Sequence, residues 1–123
     1  MRLTLDIAAT NRDPRFTSAM LERFAQVEPS SLQVYSLLES PEVPSPIGHC
    51  VRLWPQNGEL WAEIEIEDGA RMPAAHEDPM HAELLMTADG DQSRPIAVVL
   101  TSMPRGMLDQ AVREGSAAQR RAN

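Results

Sequence analysis

The chain contains no lysine: all eleven basic residues are arginine, a usage that points to codon bias rather than to a function. Cysteine occurs once, at Cys50, so no intrachain disulfide can close and no thiolate cluster can hold a metal. Aromatic residues are scarce, with two Trp, two Phe and one Tyr, which leaves packing to aliphatic side chains and seven Met. No apolar run approaches the roughly 18 residues needed to span a bilayer. The opening MRLTLDIAAT lacks the apolar core of a signal peptide, so synthesis in the cytoplasm without obvious export is expected. Positive charge is also short in the middle of the chain. Between Glu59 and Asp91 Arg71 is the only base among many carboxylates, a segment that repels phosphate and disfavours direct nucleic-acid binding. The formal charge of the whole is −7.

What is present suits one packed domain. The 123 residues carry 42% hydrophobic content, near the globular norm. Leu3, Leu5 and Ile7 alternate with Arg2, Thr4 and Asp6, the pattern of a half-buried strand. Asp13-Pro14 reads as a helix start, followed by Phe16, Met20, Phe24 and Val27 at helical spacing. Ser30-Ser31-Leu32-Gln33 reads as a capping box that opens a second helix to about Glu39, with Leu32, Tyr35 and Leu38 inward. Pro41, Pro44 and Pro46 make the next stretch a stiff connector. A hairpin follows: strands 49–54 and 59–67 flank an Asn57-Gly58 turn, whose residues suit the positive φ of a type I′ turn. Leu60, Ala62, Ile64 and Ile66 share one face of the second strand; Glu59, Trp61, Glu63, Glu65 and Glu67 share the other. Strands over 81–87 and 95–101 close the series, and Ile96 to Leu100, apolar without alternation, predicts burial on both faces. Ser102 and Pro104 open a last helix that Gly115 ends.

Four places resemble chemistry and are better read otherwise. HEDPMH offers His76, Glu77, Asp78 and His81, but its histidines are five apart and Pro79 opposes a shared helix face, so it is not the HExxH zinc pattern. A loop gathering His76, Asp78 and His81 around a metal is the sharper alternative to a plain polar loop. His49-Cys50 places neighbours on opposite strand faces, which disfavours a nucleophile–base pair and makes Cys50 a small core residue. Asp89-Gly90-Asp91 lacks EF-hand spacing and fits a hairpin turn. Ser102 at a strand end has no G-x-S-x-G elbow and suits a helix cap. Trp54 and Trp61, flanking the Asn-Gly turn, are the exception: they can meet across the hairpin as an aromatic pair and anchor an interface, unless the molecule covers them itself.

The segments PIGHCVRLWPQNGELWAEIEI (46–66) and RPIAVVLTSMPRGM (94–107) resemble parts of phage prohead protease and capsid scaffold-protease domains. There a Gly-hydrophobic strand precedes a turn with glycine and L-x-A-x-I, here Leu60, Ala62 and Ile64, and a later segment ends in ALTNxP, here the variant VLTSMP. The resemblance implies a catalytic His and Ser on separate strands. His49 stands on the other side of Gly48 from the family's His, and no serine follows a matching strand, so no catalytic residue carries over.

The expected fold class is α+β: a small mixed or mostly antiparallel sheet of four to five strands with two N-terminal helices and one C-terminal helix. One domain would span 1–115, with a Pro-rich connector at 41–47, and 116–123 would be a disordered tail. The leading expectation is a non-enzymatic phage virion protein, capsid-associated as a decoration, cement or head-completion component. It would contact a capsid shell protein and further copies of itself through Trp54, Trp61, Pro41, Pro44 and Pro46. No cofactor, metal, membrane or catalytic residue enters this reading. The alternatives are a minimal head-maturation protease or scaffold relative, and a small acidic inhibitor of a basic partner.

Overall fold

A computed structural model of the chain describes residues 1–36, 46–70, 80–87 and 92–102. Six strands dominate them: β1 (Arg2–Ala9), β2 (Gln33–Ser36), β3 (Pro46–Gln56), β4 (Glu59–Ile66), β5 (His81–Met86) and β6 (Pro95–Thr101). One α-helix, α1 (Ser18–Phe24), and a 3-10 turn at Pro29–Ser31 lie between β1 and β2. The strands form one sheet in the order β1-β4-β3-β2-β6-β5, curled into a nearly closed barrel. All pairings are antiparallel except β2 with β6.

This mostly-strand architecture corrects the expected α+β class: six strands stand where four to five were expected, and one helix where two N-terminal helices were. Residues 30–36 do not continue as a helix. The Ser31 hydroxyl donates to the Glu28 carbonyl at 2.7 Å instead of capping a following turn. From Leu32 the burial has period two: Leu32, Val34 and Ser36 are buried while Gln33 and Tyr35 point outward. A β-branched and an aromatic residue inside a four-residue segment favour a strand flanked on both sides over a helix too short to nucleate. The first helix also starts later than the sequence suggests. The Asp13 carboxylate accepts from the Arg15 backbone N–H at 3.0 Å and locks a turn. The cap is Thr17, whose hydroxyl accepts from Met20 N–H at 3.2 Å. Pro46 and Ile47, at the end of the expected connector, belong to β3, with Pro46 opposite Tyr35. Pro41, Pro44, the expected C-terminal helix and the tail lie outside the described residues.

The core lies inside the barrel. Ile7, Leu60, Ala62, Ile64, Cys50, Leu53, Val34, Val98, Leu100, Ala82 and Leu84 face inward, and α1 adds Met20, Leu21 and Phe24. Ser36 is also inward and buried, and its hydroxyl has no hydrogen-bond partner among the described residues. The β3–β4 hairpin is the longest pairing and carries two backbone constraints. Asn57 and Gly58 have φ of 51° and 77°, the left-handed pair required by the two-residue turn. At Gly48 the β4 backbone passes so close that an added Cβ would stand 2.0 Å from the Glu65 carbonyl oxygen. Pro55 faces Leu60, one step from the turn-closing pair Gln56–Glu59, where strand hydrogen bonds alternate outward, so its missing N–H costs no bond to β4.

Candidate functional site

The barrel's outer surface divides into two halves. Over β6 and the start of β5 the outward positions Ala97, Val99, Thr101 and His81 are buried, at 5%, 6%, 1% and 8% exposure, whereas Tyr35, Glu83 and Leu85 are half-buried and Gln33 on β2 is exposed. Over β1, β4 and β3 the outward positions reach solvent: His49, Arg52, Arg2 and Thr4 are exposed, and Trp54, Trp61, Glu63 and Glu65 are half-buried. The largest run of accessible outward residues among the described ones is therefore the outer face of the β3–β4 hairpin and its neighbour β1.

Register sets the order of residues on that face. Trp54 stands directly opposite Trp61, Arg52 opposite Glu63, and His49 opposite Glu65. A bulge between Cys50 and Arg52 resets the alternation, so Cys50 points inward and Arg52 points outward. The Arg52 guanidinium lies 4.8 Å from the centre of the Trp54 ring, a cation–π contact. The Trp54 indole N–H donates to Gln56 Oε1 at 3.4 Å. The two tryptophans thus stand in register on neighbouring strands, and Trp54 carries a cation over its ring.

The acidic row of β4 is partly neutralised from the neighbouring strand. Arg2 donates to Glu63 Oε1 at 3.0 Å and to Glu65 Oε2 at 2.9 Å, and the N-terminal ammonium lies 3.6 Å from Glu65 Oε1. The Arg2 hydrogen bond holds the Glu65 carboxyl below its ordinary range. Further along β1, Asp6 pairs with Arg12. The face carries both signs in rows, which differs from the uniformly acidic surface that the β4 sequence suggests.

The remaining candidates separate. His49 and Cys50 point to opposite sides: His49 is exposed, while Cys50 is fully buried and its thiol is pushed up to about 11 by desolvation. A thiol so disfavoured as thiolate is poorly suited to nucleophilic chemistry. His76 and Asp78 lie outside the described residues. His81 opens β5 opposite Thr101, with Nε2 3.9 Å from Glu83 Oε1. Among the described residues no group of three His, Cys, Asp or Glu side chains is placed to hold a metal. No described helix is long and apolar enough to cross a membrane. The His81–Glu83–Thr101 grouping escaped sequence reasoning because only the β5–β6 register brings Thr101 beside the histidine.

No protein-family model matches the chain, and no curated protein or solved structure matches it.

Proposed function

We propose that this protein works as a protein-binding module whose contact surface is the outer face of the β3–β4 hairpin. One observation carries the reading: Trp54 and Trp61 meet in register on the accessible half of the barrel, each half-buried, with Arg52 stacked on the first. Large aromatic side chains and arginine are the residue types that most often anchor protein interfaces, because they bury much area at small entropic cost. Their place on strands paired into the six-stranded sheet keeps that cost low. Within this reading the chain is a capsid-associated structural protein of a phage. The support is the likeness of residues 46–66 and 94–107 to prohead-protein segments, the first of which is this hairpin.

The test sediments particles from a lysate of cells producing the protein and quantifies the chain in each fraction, for the native form and for Trp61→Ala. Many copies per particle for the native chain, and loss of the folded variant from particles, is the expected result. Absence of the native chain from particles would refute the virion role. Equal retention of the variant would refute the hairpin face as the contact.

A further inference from the structure

We infer that one occupant of this face is a second copy of the chain, docked face to face about a two-fold axis that runs along the hairpin between β3 and β4. The inference rests on the reading of the hairpin face as an interface. A two-fold rotation about such an axis exchanges the positions of the two strands and preserves position along them. Each outward residue of one copy then lies over the register partner of the same residue in the other. The outward register pairs are Trp54–Trp61, Arg52–Glu63, His49–Glu65 and Gln56–Glu59: aromatic with aromatic, guanidinium with carboxylate, imidazole with carboxylate, and amide with carboxylate. No like charges face each other among these pairs, and each contact occurs twice. An axis crossing the strands at the tryptophans fails the same check, since it sets Glu63 over Glu59 and Arg52 over Gln56.

The side chains are poised for this exchange. Arg52 is exposed with its guanidinium over the Trp54 ring, and it forms no carboxylate ion pair with a described residue. Arg2 engages Oε1 of Glu63, so Oε2 remains to accept a second guanidinium. Two half-buried indoles per copy supply an apolar contact near the turn, and the pairs of opposite charge character extend from it along the strands.

Sedimentation velocity of the full chain across the micromolar range tests the inference. The expected result is a concentration-dependent species of twice the 13.6 kDa chain mass. R52E and E63R each set like charges together twice in the symmetric dimer, and each weakens self-association by about a hundredfold or more. An equimolar mixture of R52E and E63R restores a dimer with one copy of each, because both cross-contacts then pair opposite charges. A native chain that stays monomeric, single variants that still dimerise, or a mixture that stays monomeric while both chains are folded would each overturn the inference. The Trp61→Ala particle assay separates the two claims. A monomeric chain whose particle binding still depends on Trp61 rejects self-docking and keeps the interface.

Discussion

Gly48→Ala isolates a purely steric constraint at the centre of the sheet. The new methyl would lie 2.0 Å from the Glu65 carbonyl oxygen, 3.0 Å from its carbon and 3.2 Å from the Ile66 Cα, all backbone atoms that cannot swing aside. Relief requires β3 and β4 to part by on the order of 1 Å at this point, given ordinary van der Waals contact near 3.5 Å. That separation strains the neighbouring Glu67 N–H to Ile47 carbonyl bond, now 2.8 Å. Overpacking costs about 1–3 kcal/mol and each weakened backbone bond about 1 kcal/mol, so a loss of roughly 3–4 kcal/mol is expected. Against a typical domain stability of about 5–15 kcal/mol, this moves the urea midpoint well below the native value. Gly69→Ala is the control. Gly69 has φ of 78° with nothing within 4 Å, so it reports the left-handed backbone penalty alone, about 1–2 kcal/mol. Equilibrium urea unfolding followed by far-UV circular dichroism measures both. Should Gly48→Ala cost no more than Gly69→Ala, the close approach of β3 to β4 is not a constraint on the fold.

Ser36→Ala removes a buried hydroxyl without a described partner, and its stability should be unchanged or raised by up to about 1 kcal/mol in the same assay; a loss above that size would mean the hydroxyl is satisfied in solution. Thr17→Ala deletes the cap on α1 and should cost about 1 kcal/mol, whereas Thr17→Ser should cost much less. The Cys50 thiol, raised to about 11, should resist alkylation near pH 8 in the folded chain and react promptly in denaturant. Because its folded value lies above the unfolded one, its contribution to stability is complete below about pH 9 and fades as pH rises towards 11, which unfolding midpoints across that window will show. In an NMR titration Glu65 should protonate below the ordinary carboxylate range, and Arg2→Ala should return it upward, since the Arg2 hydrogen bond is the largest cause of the shift.

The hairpin was legible because two local signals agree. Asn57-Gly58 demands positive φ, and Leu60, Ala62, Ile64 and Ile66 alternate without a break, which fixes both turn and register. Residues 32–36 misled for an equally local reason. The inward row is Leu32, Val34 and Ser36, and the polar third member hides the period of two. Leu32 and Tyr35, three apart, then imitate a helical face. What makes this stretch a strand is β6, some sixty positions later in sequence, which pairs in parallel from Gln33–Ala97 to Ser36–Leu100. No short-range pattern carries such a pairing.

The same distinction governs the site. Trp54 and Trp61 were visible as a pair because seven positions across a two-residue turn set them opposite each other. The charge of their surroundings was not visible, because Arg2 reaches Glu63 and Glu65 from more than sixty positions away. With Arg2 in place, the β4 row is no longer a field that simply repels acidic chains, and long-range attraction for a basic partner is weakened. That argues against an acidic inhibitor acting through this face. It leaves alternation of charge between adjacent strands, basic on β3, acidic on β4 and Arg2 on β1, as the feature a partner must match. A basic residue on one strand opposite an acidic one on the next, beside a register pair of tryptophans, is the pattern that a rotated copy of the chain complements, and the R52E and E63R mixture therefore probes the feature that the fold adds to the sequence.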